Sequence, residues 1–181
     1  MRVARVFSQR FMGSNQRKKT LKKAMQIRPA NIKDSKVLSN LILTAAESVR
    51  SSDFTSAGWA LLETTNTVEA FEKRFHSTNY FALLCEIDSE PAGYLAMFDY
   101  EKVDHMFVLP RFRGLGVCRK LWEQAVEVCE KNDRGSYYWV RSSTVAEPVY
   151  EAFGFRPRGE RDTSGGISFR FMELGSKSES Q

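Results

Sequence analysis

Between residues 102 and 131 the chain reads as a strand, a glycine loop and a helix in immediate succession, and this unit constrains the fold more than any other stretch. Lys102 to Leu109 forms an apolar run halted by Pro110, a residue that cannot donate to a strand ladder. From Gly116 to Lys131 apolar residues stand at Val117, Leu121, Trp122, Ala125, Val126, Val128 and Cys129 with charges between them. That stripe repeats about every 3.6 residues, as an amphipathic helix packed on a sheet requires.

The flanking sequence supplies the rest of the sheet. Tyr80 to Ile87 and Ala92 to Tyr100 are apolar, aromatic-rich runs separated by Asp88-Ser89-Glu90-Pro91, a hairpin pattern, so these strands are expected to be antiparallel and consecutive. Gln26-Ile27-Arg28-Pro29 reads as a short opening strand. Asn31, with Asp34 three residues on, forms a variant capping box for a helix expected over Ile32 to Val49, whose core face is Val37, Leu38, Leu41, Ile42 and Ala45. Ser51 to Thr78 lacks alternation and holds two short helical pieces, Ser56 to Thr64 and Val68 to Phe75, the second capped by Asn66-Thr67. This reads as a helical flap in which Trp59, Phe71 and Phe75 are packing residues. After the turn at Asn132-Asp133-Arg134-Gly135, Ser136 to Ser142 is a strand and Val145 to Phe153 a short helix, and Phe155 and Ile167 to Leu174 fall in the closing strands. The order predicts an α/β (α+β) fold: a mixed, mainly antiparallel sheet of six to seven strands flanked by helices on both faces.

With 181 residues the chain has room for one domain of ordinary size. No run approaches the roughly eighteen apolar residues that a membrane span needs. Three cysteines without CxxC spacing (Cys85, Cys118, Cys129) and two distant histidines (His76, His105) suggest neither a disulfide framework nor a metal site. Cys118 and Cys129 share a helix face and read as small buried residues, in keeping with a reducing cytoplasm.

The net charge of +5 is unevenly spread. Residues 1–25 carry eight of the 27 basic side chains and no acid, which leaves 19 basic against 22 acidic residues in the remainder. Three segments follow: a basic flexible extension over 1–24, a domain over 25–174, and a polar, disordered tail over 175–181. Nucleic-acid binding by the domain itself is not expected, because the basic footprint lies on the extension. Three readings of that extension stand together: a mitochondrial transit peptide, an arm touching anionic partners, or untranslated sequence with Met25 as the natural start.

The loop after Pro110 holds Arg111, Arg113, Gly114 and Gly116. The N–H groups at a helix start have no intrahelical partner, the helix dipole adds partial positive charge, and glycine allows close backbone approach, so the segment is suited to an anion. It is neither a Walker loop nor a G-x-G-x-x-G turn. By itself it says only that an anion fits.

Two motifs narrow that reading. Val108-Leu109-Pro110-Arg111-Phe112-Arg113-Gly114-Leu115-Gly116-Val117-Cys118-Arg119-Lys120-Leu121 resembles the acyl-CoA loop of the GNAT acyltransferase superfamily, whose pattern is [QR]-x-x-G-x-[GA] flanked by V-x-P. The proline favours a register with Arg113 first and Gly116 fourth, which puts Cys118 where glycine or alanine is usual; Arg111 with Gly114 and Gly116 fits the pattern literally. Ala146-Glu147-Pro148-Val149-Tyr150-Glu151-Ala152-Phe153-Gly154-Phe155 resembles the family's second signature, with Ser143 where many members have asparagine.

The resemblance covers residues 25–174 and implies an N-acetyltransferase that uses acetyl-CoA as co-substrate and no metal. The implied cofactor residues are Phe107, Val108, Arg113, Gly114, Leu115, Gly116, Val117, Cys118, Arg119, Ser143 and Tyr150. The Val108 N–H would face the thioester oxygen, and Tyr150 would be the proton donor near the sulfur. For the base, Asp104, His105, Glu101 and ordered water all stand as candidates. Strand alternation puts Asp104 on one face with Met106 and Val108, and His105 with Glu101 on the other. The implied acceptor is a small-molecule amine, with a protein or peptide amine, or a non-catalytic acyl-CoA-binding module, as alternatives; a homodimer is left open.

Overall fold

The computed structural model describes residues 24–176, so the expectations for the extension before Ala24 and for the tail from residue 177 lie outside the described residues. Seven strands are present: β1 (Met25–Pro29), β2 (Tyr80–Ile87), β3 (Glu90–Phe98), β4 (Lys102–Val108), β5 (Tyr137–Ser142), β6 (Arg156–Ser164) and β7 (Ile167–Gly175). They form one sheet in the order β1-β2-β3-β4-β5-β7-β6. All neighbours are antiparallel except β4 and β5, which run parallel and pair over only Lys102↔Trp139 and Val103↔Val140.

The helices are α1 (Ser35–Glu47), α2 (Arg50–Asp53), α3 (Ser56–Thr65), α4 (Val68–Phe75), α5 (Val117–Glu130) and α6 (Glu147–Ala152). The capping box forms as the sequence indicates: Asn31 Oδ1 accepts from the Lys33 N–H at 3.0 Å and Asp34 Oδ2 from the Asn31 N–H at 2.9 Å. Helix α4 lies on one sheet face, with Phe71 against Tyr94. Helix α5 lies on the other, where Cys129 Sγ meets Met97 Sδ at 3.9 Å. Its stripe is buried at Val117, Leu121, Trp122, Ala125 and Cys129. Each such large side chain removed from water contributes roughly 2 kcal/mol, so this helix anchors the core. Gly93 makes the close approach possible, since a Cβ there would stand 2.8 Å from Phe107 O, 2.9 Å from Val108 Cγ2 and 3.1 Å from Val117 Cγ1.

Several elements depart from the sequence reading. The first hairpin turns on Asp88 and Ser89 alone, both at positive φ, a two-residue turn whose twist suits antiparallel strands, so β3 starts at Glu90. An added single turn, α2, follows α1. Strand β6 is exposed throughout and carries no alternation, because as the outer strand of the sheet it buries neither face. Gly175 belongs to β7, opposite Tyr137. Cys129 is buried as expected and Cys85 is buried too, whereas Cys118 is half-buried, because the first turn of α5 overhangs an open cleft instead of the core.

Strand β4 contains one irregularity with consequences for the site. The register passes from Ala96↔His105 directly to Met97↔Val103, so Asp104 is an extra residue, a β-bulge. The alternation expected along β4 breaks there. Asp104 and His105 turn to the same face, toward α4: Arg74 Nε lies 3.8 Å from Asp104 Oδ2, and the His105 ring lies 6.1 Å from that of Phe71.

Candidate active site

Beyond Val103↔Val140 the two parallel strands part. The gap holds a cavity of about 630 Å³. One wall is Met106, Phe107 and Val108 with the loop that follows. The other is Ser143, Val145, Ala146, Pro148, Val149, Ala152 and Phe153, and Ala45 and Val49 close it from the end of α1. Of the cofactor residues named from sequence, Phe107, Val108, Arg113, Gly114, Gly116, Val117, Cys118, Arg119 and Ser143 line this cavity. Leu115 and Tyr150 do not: Leu115 points outward at 49% exposure, and Tyr150 is 4% exposed. Ala45, Val49, Met106 and Phe112 also line it. For Ala45, Val49 and Met106 the sequence signal was apolar spacing, which a core position produces equally, whereas Phe112 stands inside the loop motif at a position the motif leaves unspecified.

The loop is built as an anion cradle. Gly114 and Gly116 adopt φ of +76° and +82°, and a Cβ at either would meet nothing within 4 Å. Glycine is needed there for the backbone conformation, and the space above is open. Gly116 caps α5 without a side-chain hydrogen bond. The first helical bond runs from the Lys120 N–H to Gly116 O at 3.0 Å, which leaves the N–H groups of Val117, Cys118 and Arg119 without helical acceptors. Such a start presents concentrated positive potential to a phosphate.

The two loop arginines expected to add charge to that cradle are engaged elsewhere. Arg113 donates from Nε to Val108 O at 3.3 Å and from Nη2 to Ala45 O at 3.2 Å and Ser48 Oγ at 2.8 Å. A cation at the carbonyl end of α1 is favoured by the helix dipole. Arg111 pairs with Glu90 at 3.1 Å on the surface. Arg119 lines the cavity, is exposed, and makes no ion pair among the described residues.

The backbone of Val108 has a definite direction. Leu109 N–H donates to Ala92 O at 2.9 Å, and Gly93 faces Val108 in the ladder. Bonded and non-bonded pairs alternate in antiparallel strands, so the polar groups of Val108 turn away from β3 and toward the gap. Its carbonyl is held by Arg113; its N–H points into the cleft.

Tyr150 sits on α6 edge-to-face with Phe155, ring centroids 5.3 Å apart. Burial, and then Cys118, push its phenol well above the ordinary value, so it keeps its proton at neutral pH. Burial likewise raises the Cys118 thiol, with Arg113 opposing.

Asp104 and His105 lie outside the cavity. Burial alone would raise the Asp104 carboxyl, but His105, Lys102 and Arg74 together hold it below its ordinary value. Lys102 Nζ stands 2.6 Å from Asp104 Oδ1. His105 is pushed down to about 4, chiefly by burial. Glu101 occupies the β3–β4 turn, seven residues or about 23 Å of extended strand before Val108. None of the three named base candidates borders the cleft. Among the described residues no group of His, Cys, Asp and Glu is placed to hold a metal, and no helix is long and apolar enough to cross a membrane.

The family model of the acetyltransferase (GNAT) domain matches residues 50–176, and the chain belongs to that family. The protein is therefore an acyltransferase. An uncharacterized N-acetyltransferase of Archaeoglobus fulgidus is 32% identical over 119 residues, covering 54% of this chain and 78% of that relative.

Among solved structures, a GCN5-related N-acetyltransferase from Rhodopseudomonas palustris superposes with TM-score 0.73 at 17% identity, covering 83% of this chain and 95% of that one. The PaiA N-acetyltransferase of Thermoplasma acidophilum, solved with coenzyme A, gives 0.73 at 14% identity, with coverages of 84% and 99%. The ribosomal-protein-S18-alanine N-acetyltransferase of Escherichia coli gives 0.59 at 16% identity, with coverages of 87% and 99%.

Proposed function

We propose that the protein transfers an acetyl group from acetyl-CoA to a primary amine of a small molecule, by direct attack within a ternary complex. The observation that carries this reading is the Val108 N–H turned into a cleft between an amide cradle and the tyrosine-bearing helix α6. The residues present fit coenzyme A: the loop glycines leave open space above three unpaired N–H groups, and an apolar channel continues past Val108. When bound, acetyl-CoA supplies the thioester carbonyl and a thiolate leaving group.

The backbone from Gly114 to Arg119 would hold the pyrophosphate, and Ser143, Ala146 and Val149 would flank the pantetheine arm. The Val108 N–H donates to the carbonyl oxygen as charge develops on it, the position where a fixed donor is most effective. The amine nitrogen would bond to the carbonyl carbon as the carbon–sulfur bond breaks, water would take the surplus amine proton, and Tyr150, which stands behind the wall but close enough to the cavity-lining Cys118 to be influenced by it, would give its proton to the departing sulfur. A phenol that stays protonated at neutral pH suits that step.

The test is free-thiol release from acetyl-CoA across a panel of amines, with wild type and Tyr150→Phe. Amine-dependent thiol release is expected, with kcat lowered at least about tenfold in the variant. Unchanged kcat in Tyr150→Phe would remove the donor role, and tight CoA binding without thiol release for any amine would make the domain a binding module.

A further inference from the structure

We infer that the acceptor amine also carries a carboxylate or a related oxyanion, held by Arg141 at the edge of the cleft on the sheet face opposite α5. This rests on the proposed acetyl transfer and concerns what the acceptor bears besides its amine.

The two sides of β5 differ. Tyr138 packs on Trp122 of α5, ring centroids 5.0 Å apart, and Tyr138, Val140 and Ser142 are buried on that side. Alternation turns Trp139 and Arg141 to the α4 side. Lys102, which binds Asp104 there, also lies 5.8 Å over the Trp139 ring. Trp139 is half-buried and stacks on Phe171 at 5.5 Å, whereas Arg141 is exposed.

Arg141 leans toward the cleft. It pairs with Phe171 across the ladder and the next pair is Ser142↔Arg170, so Phe169 stands one step further on, beside Ser143. The guanidinium carbon lies 4.9 Å over the Phe169 ring, and Ser143 lines the cleft. Phe107, another lining residue, stacks on Tyr94 on the α4 side. The cleft therefore reaches the face that Arg141 occupies.

A guanidinium stacked on a ring keeps its in-plane N–H groups free, and that edge takes a carboxylate or phosphate in bidentate fashion. Arg141 makes no hydrogen bond or ion pair among the described residues. Its basic neighbours are occupied: Arg158 holds Glu173 at 3.0 Å, Arg161 holds Glu147 at 2.6 Å and Lys102 holds Asp104 at 2.6 Å. The nearby acids do not neutralise it. Asp53, 1% exposed, accepts from the Thr144 N–H through Oδ1 at 3.2 Å and leaves Oδ2 without a hydrogen bond. Asp162, opposite Phe169 on β6, accepts from the Thr163 N–H at 2.7 Å. Neither pairs with Arg141. The charge left over at this edge is positive and preorganised, which suits an anionic group on the acceptor.

The experiment uses the full chain and matched acceptors that differ only by a carboxylate: 4-(aminomethyl)benzoate against benzylamine, phenylalanine against 2-phenylethylamine, and 6-aminohexanoate against pentylamine. Thiol release from acetyl-CoA is followed with wild type, Arg141→Gln and Arg141→Lys. In at least one pair the acid is expected to exceed its partner about 30-fold in kcat/KM, the scale of a hydrogen-bonded charged contact. Arg141→Gln should erase that preference through KM and leave the uncharged partner within about threefold, and Arg141→Lys should restore part of it. Comparing the benzoate with 4-(aminomethyl)phenylphosphonate names which oxyanion is taken. No preference for an anionic acceptor, a preference that survives in Arg141→Gln, or a loss shared equally by both members of a pair would overturn the inference while leaving acetyl transfer intact. No thiol release with any amine would instead overturn the transfer reading. Calorimetry of the same amines on the CoA-bound protein would then decide the anchor: binding of the acids that Arg141→Gln abolishes supports it, and its absence overturns it.

Discussion

Arg113 and Val108 are joined at the mouth of the cleft: the guanidinium Nε donates to the Val108 carbonyl at 3.3 Å, while Nη2 reaches Ala45 O and Ser48 Oγ at the end of α1. The charge that the loop motif places beside a phosphate is spent on holding the strand end and the helix end together. Because the carbonyl and the N–H of Val108 lie on the same side of the strand, fixing one steadies the other.

Arg113→Ala should therefore act on turnover more than on cofactor affinity. Loss of these bonds frees the peptide whose N–H faces the cleft, and kcat is expected to fall about tenfold or more, the range seen when a fixed donor is loosened. The dissociation constant for CoA, measured by titration calorimetry, should change by less than about threefold, since backbone amides supply most of the cradle. Arg113→Lys should restore part of kcat. A phosphate-binding Arg113 would give the opposite split, with affinity lost and turnover kept.

Gly116→Ala probes the cradle. Its φ of +82° disfavours any side chain, and the empty surroundings mean that the backbone term stands alone. The expected stability loss is about 1 kcal/mol, read from thermal unfolding. CoA affinity should fall by more than about tenfold, because the new methyl stands where a phosphate must approach the amides.

His105→Phe tests the buried imidazole. Its pKa drops from the ordinary 6.5 to about 4 on folding, so as pH falls the unfolded chain takes up the proton first. The His105 contribution is fully present above about pH 6.5 and is lost between about 6.5 and 4, amounting to at most about 3 kcal/mol. Asp104, also lowered, extends the loss to more acidic pH. Phenylalanine suits a site already formed by Phe71, Tyr94 and Phe107. The variant's melting temperature should decline less than that of the wild type between pH 7.5 and pH 4.5, which spans about the same window; parallel curves would show that His105 does not titrate in it.

Much of the architecture was legible because it follows from local periodicity. The α5 stripe, the Asn31–Asp34 cap and the β2–β3 hairpin are short-range patterns, and each is present, the hairpin with a tighter turn than the residues indicate. The missed features are long-range. Arg113 and its acceptor at Ala45 stand 68 residues apart, so a motif could name the arginine but not its destination. The bulge at Asp104 leaves no trace in composition, and without it alternation puts Asp104 and His105 on opposite faces. Strand β6 escapes notice because an outer strand needs no apolar face.

The brief contact between β4 and β5 has a broader consequence. Strands β1 to β4 and strands β5 to β7 form two leaves stitched at Lys102↔Trp139 and Val103↔Val140, with α5 packed on the first leaf. The amide cradle and the Val108 donor ride on the first leaf, and the facing wall from Ser143 to Phe153 rides with the second. A substitution at the seam can thus change the width of the cleft without touching a residue that lines it, since the two walls ride on separate leaves that meet through only two residue pairs.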